Sequence, residues 1–206
     1  MRYILILLSI IVLIIILKPT YNKPRIFKNF VSHDICDHII KQAKPKLEPS
    51  VVSEDRNLDE NVRKSETAWL LPDDPVVKSI MEKCVSKTDR PIINCESLQV
   101  LKYTPGGFYK HHQDAFPGEK NMRMHTCIIY LNDDYDGGET EFPNLGEKYK
   151  LNKGDMLLFD VTNDWGFITP KALHGGLPVL SGEKWICNLW IRTYQYASDE
   201  YIYMKS

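Results

Sequence analysis

His112-Gln113-Asp114 places an imidazole and a carboxylate two residues apart. Residues at that spacing in an extended strand share a face, so both donors reach toward one point. A further imidazole would complete two histidines and one carboxylate on one side of a metal, leaving the other side open, which is the donor geometry of a non-haem Fe(II) centre. Alone, His-x-Asp is common by chance, and a surface pair beside a turn is its simpler reading. The partner must come from far along the chain, and His174 in Lys171-Ala172-Leu173-His174-Gly175-Gly176 is the candidate, because its glycines let other atoms approach its metal side. His33 and His38 fall in a helical pattern, His125 lies mid-strand, and His111 points away from His112 in a regular strand.

The last long apolar segment adds a cation. Lys184, Ile186, Asn188, Trp190 and Arg192 alternate with Trp185, Cys187, Leu189 and Ile191, so the lysine heads one face of a strand. Burying an ammonium is expensive without an anion, so Lys184 is either exposed at the strand end or has a carboxylate partner. If the metal takes the 2-oxo acid end of 2-oxoglutarate, the far carboxylate lies deeper and Lys184 can meet it. Tyr103 and Thr140 are candidates for the accompanying hydroxyls.

These residues need a scaffold that brings distant segments together. Ser32 caps a helical pattern of Ile35, Cys36, Ile39, Ile40 and Ala43 that Pro45 stops. Asp73 or Asp74 caps a second, opened by Pro75, with Val76, Val77, Ile80, Met81 and Cys84 as its apolar stripe. From Glu96 the period changes to that of short strands: 96–104, 123–131, 139–142, 155–160 and 184–195, separated by Gly- and Pro-containing turns. Two helices followed by many strands predict an α+β domain whose jelly-roll or cupin-like sandwich is buttressed by N-terminal helices. Residues 53–64 are charged and aperiodic, which suits either a plain solvated loop or a lid over a cleft.

The chain of 206 residues fits one domain with appendages, and 26 basic against 27 acidic residues leave no footprint for nucleic acid. Tyr3 to Leu17 is almost wholly Ile, Leu and Val. As a helix this run would span roughly 22 Å, short of the ~30 Å hydrocarbon core. Without a small-residue cleavage site after it, the run reads as an uncleaved signal anchor over 1–18, with a cleaved signal peptide as second choice. A linker over 19–24 and a catalytic domain over 25–206 follow. The domain is then expected to be membrane-tethered, facing the endoplasmic reticulum or secretory lumen. Five cysteines without a Cys-x-x-Cys pair read as buried thiols, with Cys84 and Cys95 as one conceivable pair in an oxidising lumen.

Taken together, Glu96 to Asp114, Arg123 to Asn132, Gly137-Gly138-Glu139-Thr140-Glu141-Phe142-Pro143, Lys153 to Phe159, His174 to Val179 and Gly182 to Arg192 resemble the prolyl 4-hydroxylases. The likeness is strongest to the short single-domain forms of plants, algae and large DNA viruses, and runs from about Pro24 to Tyr194. It implies a double-stranded β-helix and an Fe(II)- and 2-oxoglutarate-dependent dioxygenase that uses O2, needs ascorbate, and hydroxylates C4 of proline in proline-rich or collagen-like peptides. By position it implies His112, Asp114 and His174 as iron ligands, and Lys184 with Tyr103 and Thr140 at the far carboxylate. Arg63, Ser65, Glu96, Tyr109, Arg123 and Trp190 fall where the family meets its peptide. The chain departs from the pattern at Arg192, where the family often has His, and in the short turn between Asp114 and Arg123. Two other readings are the same oxygenase chemistry on a lysyl residue, a free amino acid or a nucleobase, and a catalytically silent peptide-binding module.

Overall fold

The computed structural model describes residues 18–51 and 59–196. Strand β1 (Arg25–Phe27) leads into helix α1 (His33–Ala43), whose first turn is closed by Ser32 Oγ accepting from Ile35 N–H, as the pattern predicts. After β2 (Glu48–Pro49), β3 (Arg63–Lys64) and β4 (Glu66–Leu70), Asp74 caps helix α2 (Pro75–Val85) by accepting from the N–H groups of Val76 and Val77. The remainder is strand: β5 (Leu98–Tyr103), β6 (Phe108–His112), β7 (Arg123–Tyr130), β8 (Asp136–Gly137), β9 (Thr140–Phe142), β10 (Glu147–Tyr149), β11 (Met156–Asp160), β12 (His174–Gly176), β13 (Val179–Ser181) and β14 (Lys184–Arg192).

These strands form a seven-stranded sheet, β1-β11-β7-β14-β5-β4-β2, a five-stranded sheet, β10-β9-β12-β6-β3, and a small β13-β8 pair. The pairings are antiparallel, and most neighbours are distant in sequence, the wiring of a double-stranded β-helix. One core lies between the helices and the large sheet, from Cys36, Ile39, Val77 and Ile80 to Val100, Cys127, Cys187 and Leu189. The other fills the sandwich with Leu101, Tyr103, Ile128, Tyr130, Phe142, Leu157, Phe159 and Ile186. Each buried Leu, Ile or Phe contributes roughly 1.5–3 kcal/mol, so two continuous cores hold the strands firmly enough to fix side chains between them.

Because side chains alternate, Cys187, Leu189 and Ile191 of β14 belong to the helix-side core, and Ile186 lies in the sandwich with Lys184, Asn188 and Trp190 on its face. All five cysteines are buried and free, so Cys84 and Cys95 are not paired. Of the charged stretch 53–64, residues 53–58 lie outside the described residues, and its end is strand: Arg63 pairs with Tyr109 and Lys64 with Phe108.

The membrane expectation requires correction. No helix among the described residues is long and apolar enough to cross a membrane, so a single-pass N-terminal anchor is not supported. The physical reason is length: hydropathy suggested the anchor, yet the run Tyr3–Leu17, itself outside the described residues, is shorter than a hydrocarbon core.

Candidate active site

Strand β6 ends on His112, with Asp114 two residues beyond, and β12 begins on His174, directly opposite His112 in the ladder. Gly175 makes that pairing possible: a Cβ there would come within 2.9 Å of Tyr109 O and 3.0 Å of His111 N. The glycine therefore serves the approach of β12 to β6, whereas sequence reasoning assigned it to the metal side.

Donor atoms of His112, Asp114 and His174 all lie within 4.8 Å of one another, the one such cluster of three found among the described residues. His112 Nε2 is 3.6 Å from Asp114 Oδ1, and His174 Nε2 is 3.8 Å from Asp114 Oδ2. Both imidazoles are oriented from behind, Nδ1–H of His112 donating to Lys110 O at 2.9 Å and that of His174 to Ala172 O at 3.0 Å. That tautomer leaves each Nε2 lone pair facing the carboxylate, as a metal ligand requires. Asp114 is anchored by Thr126, whose Oγ1 donates to Oδ2 at 2.5 Å. Burial favours a neutral acid, but His174, His112 and Arg123 outweigh it and hold the carboxyl far below the usual range. Burial pulls His174 down to about 4, against the opposing pull of Asp114, so it is a neutral imidazole at pH 7.

The donor set fits a divalent metal, and a buried cation lies on the sandwich face of β14. Lys184 is only 2% exposed, and its Nζ donates to Gly138 O at 2.7 Å. It forms no ion pair with a carboxylate among the described residues, and burial pulls its ammonium down to about 8. A buried cation left in that state is a built receptor for an anion. Tyr103 and Tyr130 present their rings 5.4 and 5.8 Å from the ammonium. Thr140 is joined to Tyr130 by a 2.9 Å hydrogen bond between hydroxyls. Tyr130 was missed in the sequence, where it reads as one more core aromatic. Its signal was parity with Thr126 and Ile128 on β7.

The remaining predicted residues gather around the same cluster. Tyr109 stacks on His112 with ring centroids 3.7 Å apart, and Arg63 lies over the Tyr109 ring at 4.6 Å. Ser65 accepts from Arg63 Nε at 2.9 Å. Arg123 covers Trp190 at 3.7 Å and is clamped by Glu96 through 2.6 and 2.8 Å bonds. Arg192 Nε also donates to Glu96, at 2.8 Å, so one buried carboxylate holds two guanidinium groups. His111 turns outward to Glu141, as alternation predicts, and His125 sits between Asp89 and Asp160, away from the metal ligands.

Comparison with known proteins agrees with this geometry. The profile of the 2OG-Fe(II) oxygenase superfamily matches residues 98–192. A putative prolyl 4-hydroxylase of Acanthamoeba polyphaga mimivirus is 38% identical, the match covering 84% of this chain and 75% of that one. A probable prolyl 4-hydroxylase 6 of Arabidopsis thaliana is 34% identical, with 86% and 71% covered. Among solved structures, the viral collagen prolyl hydroxylase of Paramecium bursaria Chlorella virus-1, in its 2OG complex, superposes with a TM-score of 0.71 at 32% identity, covering 84% of this chain and 97% of that chain. The likeness extends well beyond the oxygenase motifs into the N-terminal half, and on its strength the chain belongs to the prolyl 4-hydroxylase family of the 2OG-Fe(II) oxygenase superfamily.

Proposed function

We propose that the protein hydroxylates C4 of proline residues in proline-rich or collagen-like peptides, with 2-oxoglutarate decarboxylated to succinate and CO2. The protein is a 2-oxoglutarate-dependent dioxygenase that uses Fe(II) and O2, with ascorbate as external reductant. The observation that carries the residue assignment is the buried, carboxylate-free ammonium of Lys184 on the sandwich face that also leads to the His112, Asp114 and His174 cluster.

In this reading His112, Asp114 and His174 would hold Fe(II), which would supply the oxygen chemistry. The protein contributes position and dryness. Thr126 and the two backbone carbonyls keep the ligands aimed. Lys184, Thr140, Tyr103 and Tyr130 receive the far carboxylate of 2-oxoglutarate in a site from which water is excluded, where charge-assisted bonds are strong. Arg63, Ser65, Tyr109, Arg123 and Trp190 form the peptide side, with Glu96 fixing Arg123. Two stacked cation–aromatic pairs give flat walls suited to a proline ring in a preformed polyproline II segment.

A peptide panel tests the proposal: (Pro-Pro-Gly)n, poly-proline and Ser/Pro-rich repeats, followed by coupled succinate release and mass gain of one oxygen on proline. Turnover on at least one is expected. Succinate release without oxygen on any proline would refute the substrate assignment and leave the oxygenase chemistry in place.

A further inference from the structure

Arg63 carries a charge with no anion to meet it. The residue is 7% exposed, its Nη2 is buried without a hydrogen-bond partner, and it forms no ion pair with a carboxylate among the described residues. It lies over Tyr109, which stacks on the metal ligand His112, so a donor with nothing to bond stands one ring away from the metal cluster. A proline-rich peptide suits such a donor, because a proline residue has a backbone carbonyl to accept and no N–H of its own to satisfy.

What holds Arg63 is a chain of hydroxyls, two of which, on Ser50 and Thr67, belong to no part of the site described above. Arg63 Nε donates to Ser65 Oγ at 2.9 Å, Ser65 Oγ donates to Ser50 Oγ at 2.7 Å, and Ser50 Oγ is bonded to Thr67 Oγ1 at 2.6 Å. Ser50 is buried, and its backbone N–H donates to Ser65 O at 2.9 Å, so it grips Ser65 at two points. Thr67 stands within the large sheet, between Glu48 of β2 and Leu101 of β5, and ties the chain to a rigid frame. A hydroxyl has one proton to give. Ser65 gives its proton to Ser50, so its oxygen is turned lone pair first toward the guanidinium, and the cation in turn polarises the hydroxyls behind it, which strengthens each link. Without Ser50 the Ser65 hydroxyl is free to turn, and a side chain rich in rotamers loses the bond that fixes its Nε.

We infer that Ser50 and Thr67 are positioning residues for the reaction: their hydroxyls, acting through Ser65, aim the Arg63 guanidinium at a carbonyl of the bound peptide. The inference rests on the peptide reading above and extends it from the wall beside the metal into the edge of the large sheet.

The test separates KM from kcat. Succinate release is followed across a titration of the proline peptide that the panel shows to be turned over best. Ser50→Ala and Thr67→Val should each raise the peptide KM about five-fold with kcat unchanged, while Thr67→Ser, which keeps the hydroxyl, should behave as wild type. Thr67→Val preserves both the shape and the strand preference of the residue, so its melting temperature should stay within about 4 °C of wild type and the rise in KM is not a loss of folded protein. In an Arg63→Met background neither Ser50→Ala nor Thr67→Val should raise KM further, because the group they aim is gone. An unchanged peptide KM in either variant, a fall in kcat in place of the rise in KM, or the same rise on top of Arg63→Met would each overturn the inference. A wild-type protein that turns over no proline peptide would instead bring down the peptide reading, and the inference with it.

Discussion

Replacing Lys184 with methionine separates a receptor for an anion from a structural tie. In the free protein the ammonium is buried, with Gly138 O as its hydrogen-bond acceptor. Burial depresses it from 10.5 to about 8, a cost of about 3 kcal/mol at pH 7 at 1.36 kcal/mol per unit. A base whose folded pKa is lowered destabilises the fold fully below that pKa. The penalty fades between about 8 and 10.5, because only the unfolded chain still holds the proton there. The free wild-type protein should therefore gain stability from this group as pH rises through that window, and Lys184→Met should lack the gain. At pH 7 the variant escapes the buried charge but strands the Gly138 carbonyl, at about 1–3 kcal/mol. Its net change lies between nothing and about 2 kcal/mol of stabilisation, and each kcal/mol moves the melting temperature by about 2–4 °C in a domain of this size. Cosubstrate binding should move the other way. Losing the partner of a buried carboxylate costs about 3 kcal/mol or more, hence a 2-oxoglutarate requirement raised about 100-fold. Thermal melts with and without 2-oxoglutarate, together with succinate release across a cosubstrate titration, read both effects. A free variant several degrees less stable than wild type, or one that keeps its 2-oxoglutarate-induced shift, would refute the reasoning and make Lys184 a strut.

Four further substitutions probe the centre and its supports. His112→Ala or Asp114→Ala should abolish both metal-dependent thermal stabilisation and succinate release, and activity surviving in either would remove that residue from the ligand set. Thr126→Val deletes the 2.5 Å bond to Asp114 while keeping shape; metal affinity should fall about 10–100-fold, measured by competition with a chelator. Glu96→Ala should lower the melting temperature by about 10 °C, since it strands the guanidinium groups of Arg123 and Arg192 at roughly 3–5 kcal/mol, and a shift under 2 °C would show the clamp to be energetically idle.

Much of the architecture is legible in residue order because long elements impose a period. The two helices, with their caps at Ser32 and Asp74, and strands β5, β7, β11 and β14 emerge from apolar spacing alone. Short strands are less legible: 139–142 anticipates β9, but β12 is three residues, His174–Gly176, and no period can be read from three positions. The proximity of His174 to His112 was accessible only through pattern and likeness, since it depends on the pairing of two strands far apart in sequence. Lys184 announced itself because a cation on an apolar strand demands a partner. Tyr130 gave no such signal, as a tyrosine in a strand is ordinary, and its hydroxyl contact with Thr140 is a tertiary fact. The reading of Tyr3–Leu17 as an anchor set hydropathy and the missing cleavage site above a span already short of the hydrocarbon core.

The five thiols packed between the helices and the large sheet make the fold its own stopwatch. All five are buried, and burial holds the thiols of Cys36 and Cys95 up at about 11 and 12. A reagent that attacks thiolates must wait for the helix layer to part from the sheet. Alkylation kinetics, counted by mass as zero to five labels, would thus time the opening of the helical buttress without any engineered probe, and ligands that clamp the sandwich would slow the clock.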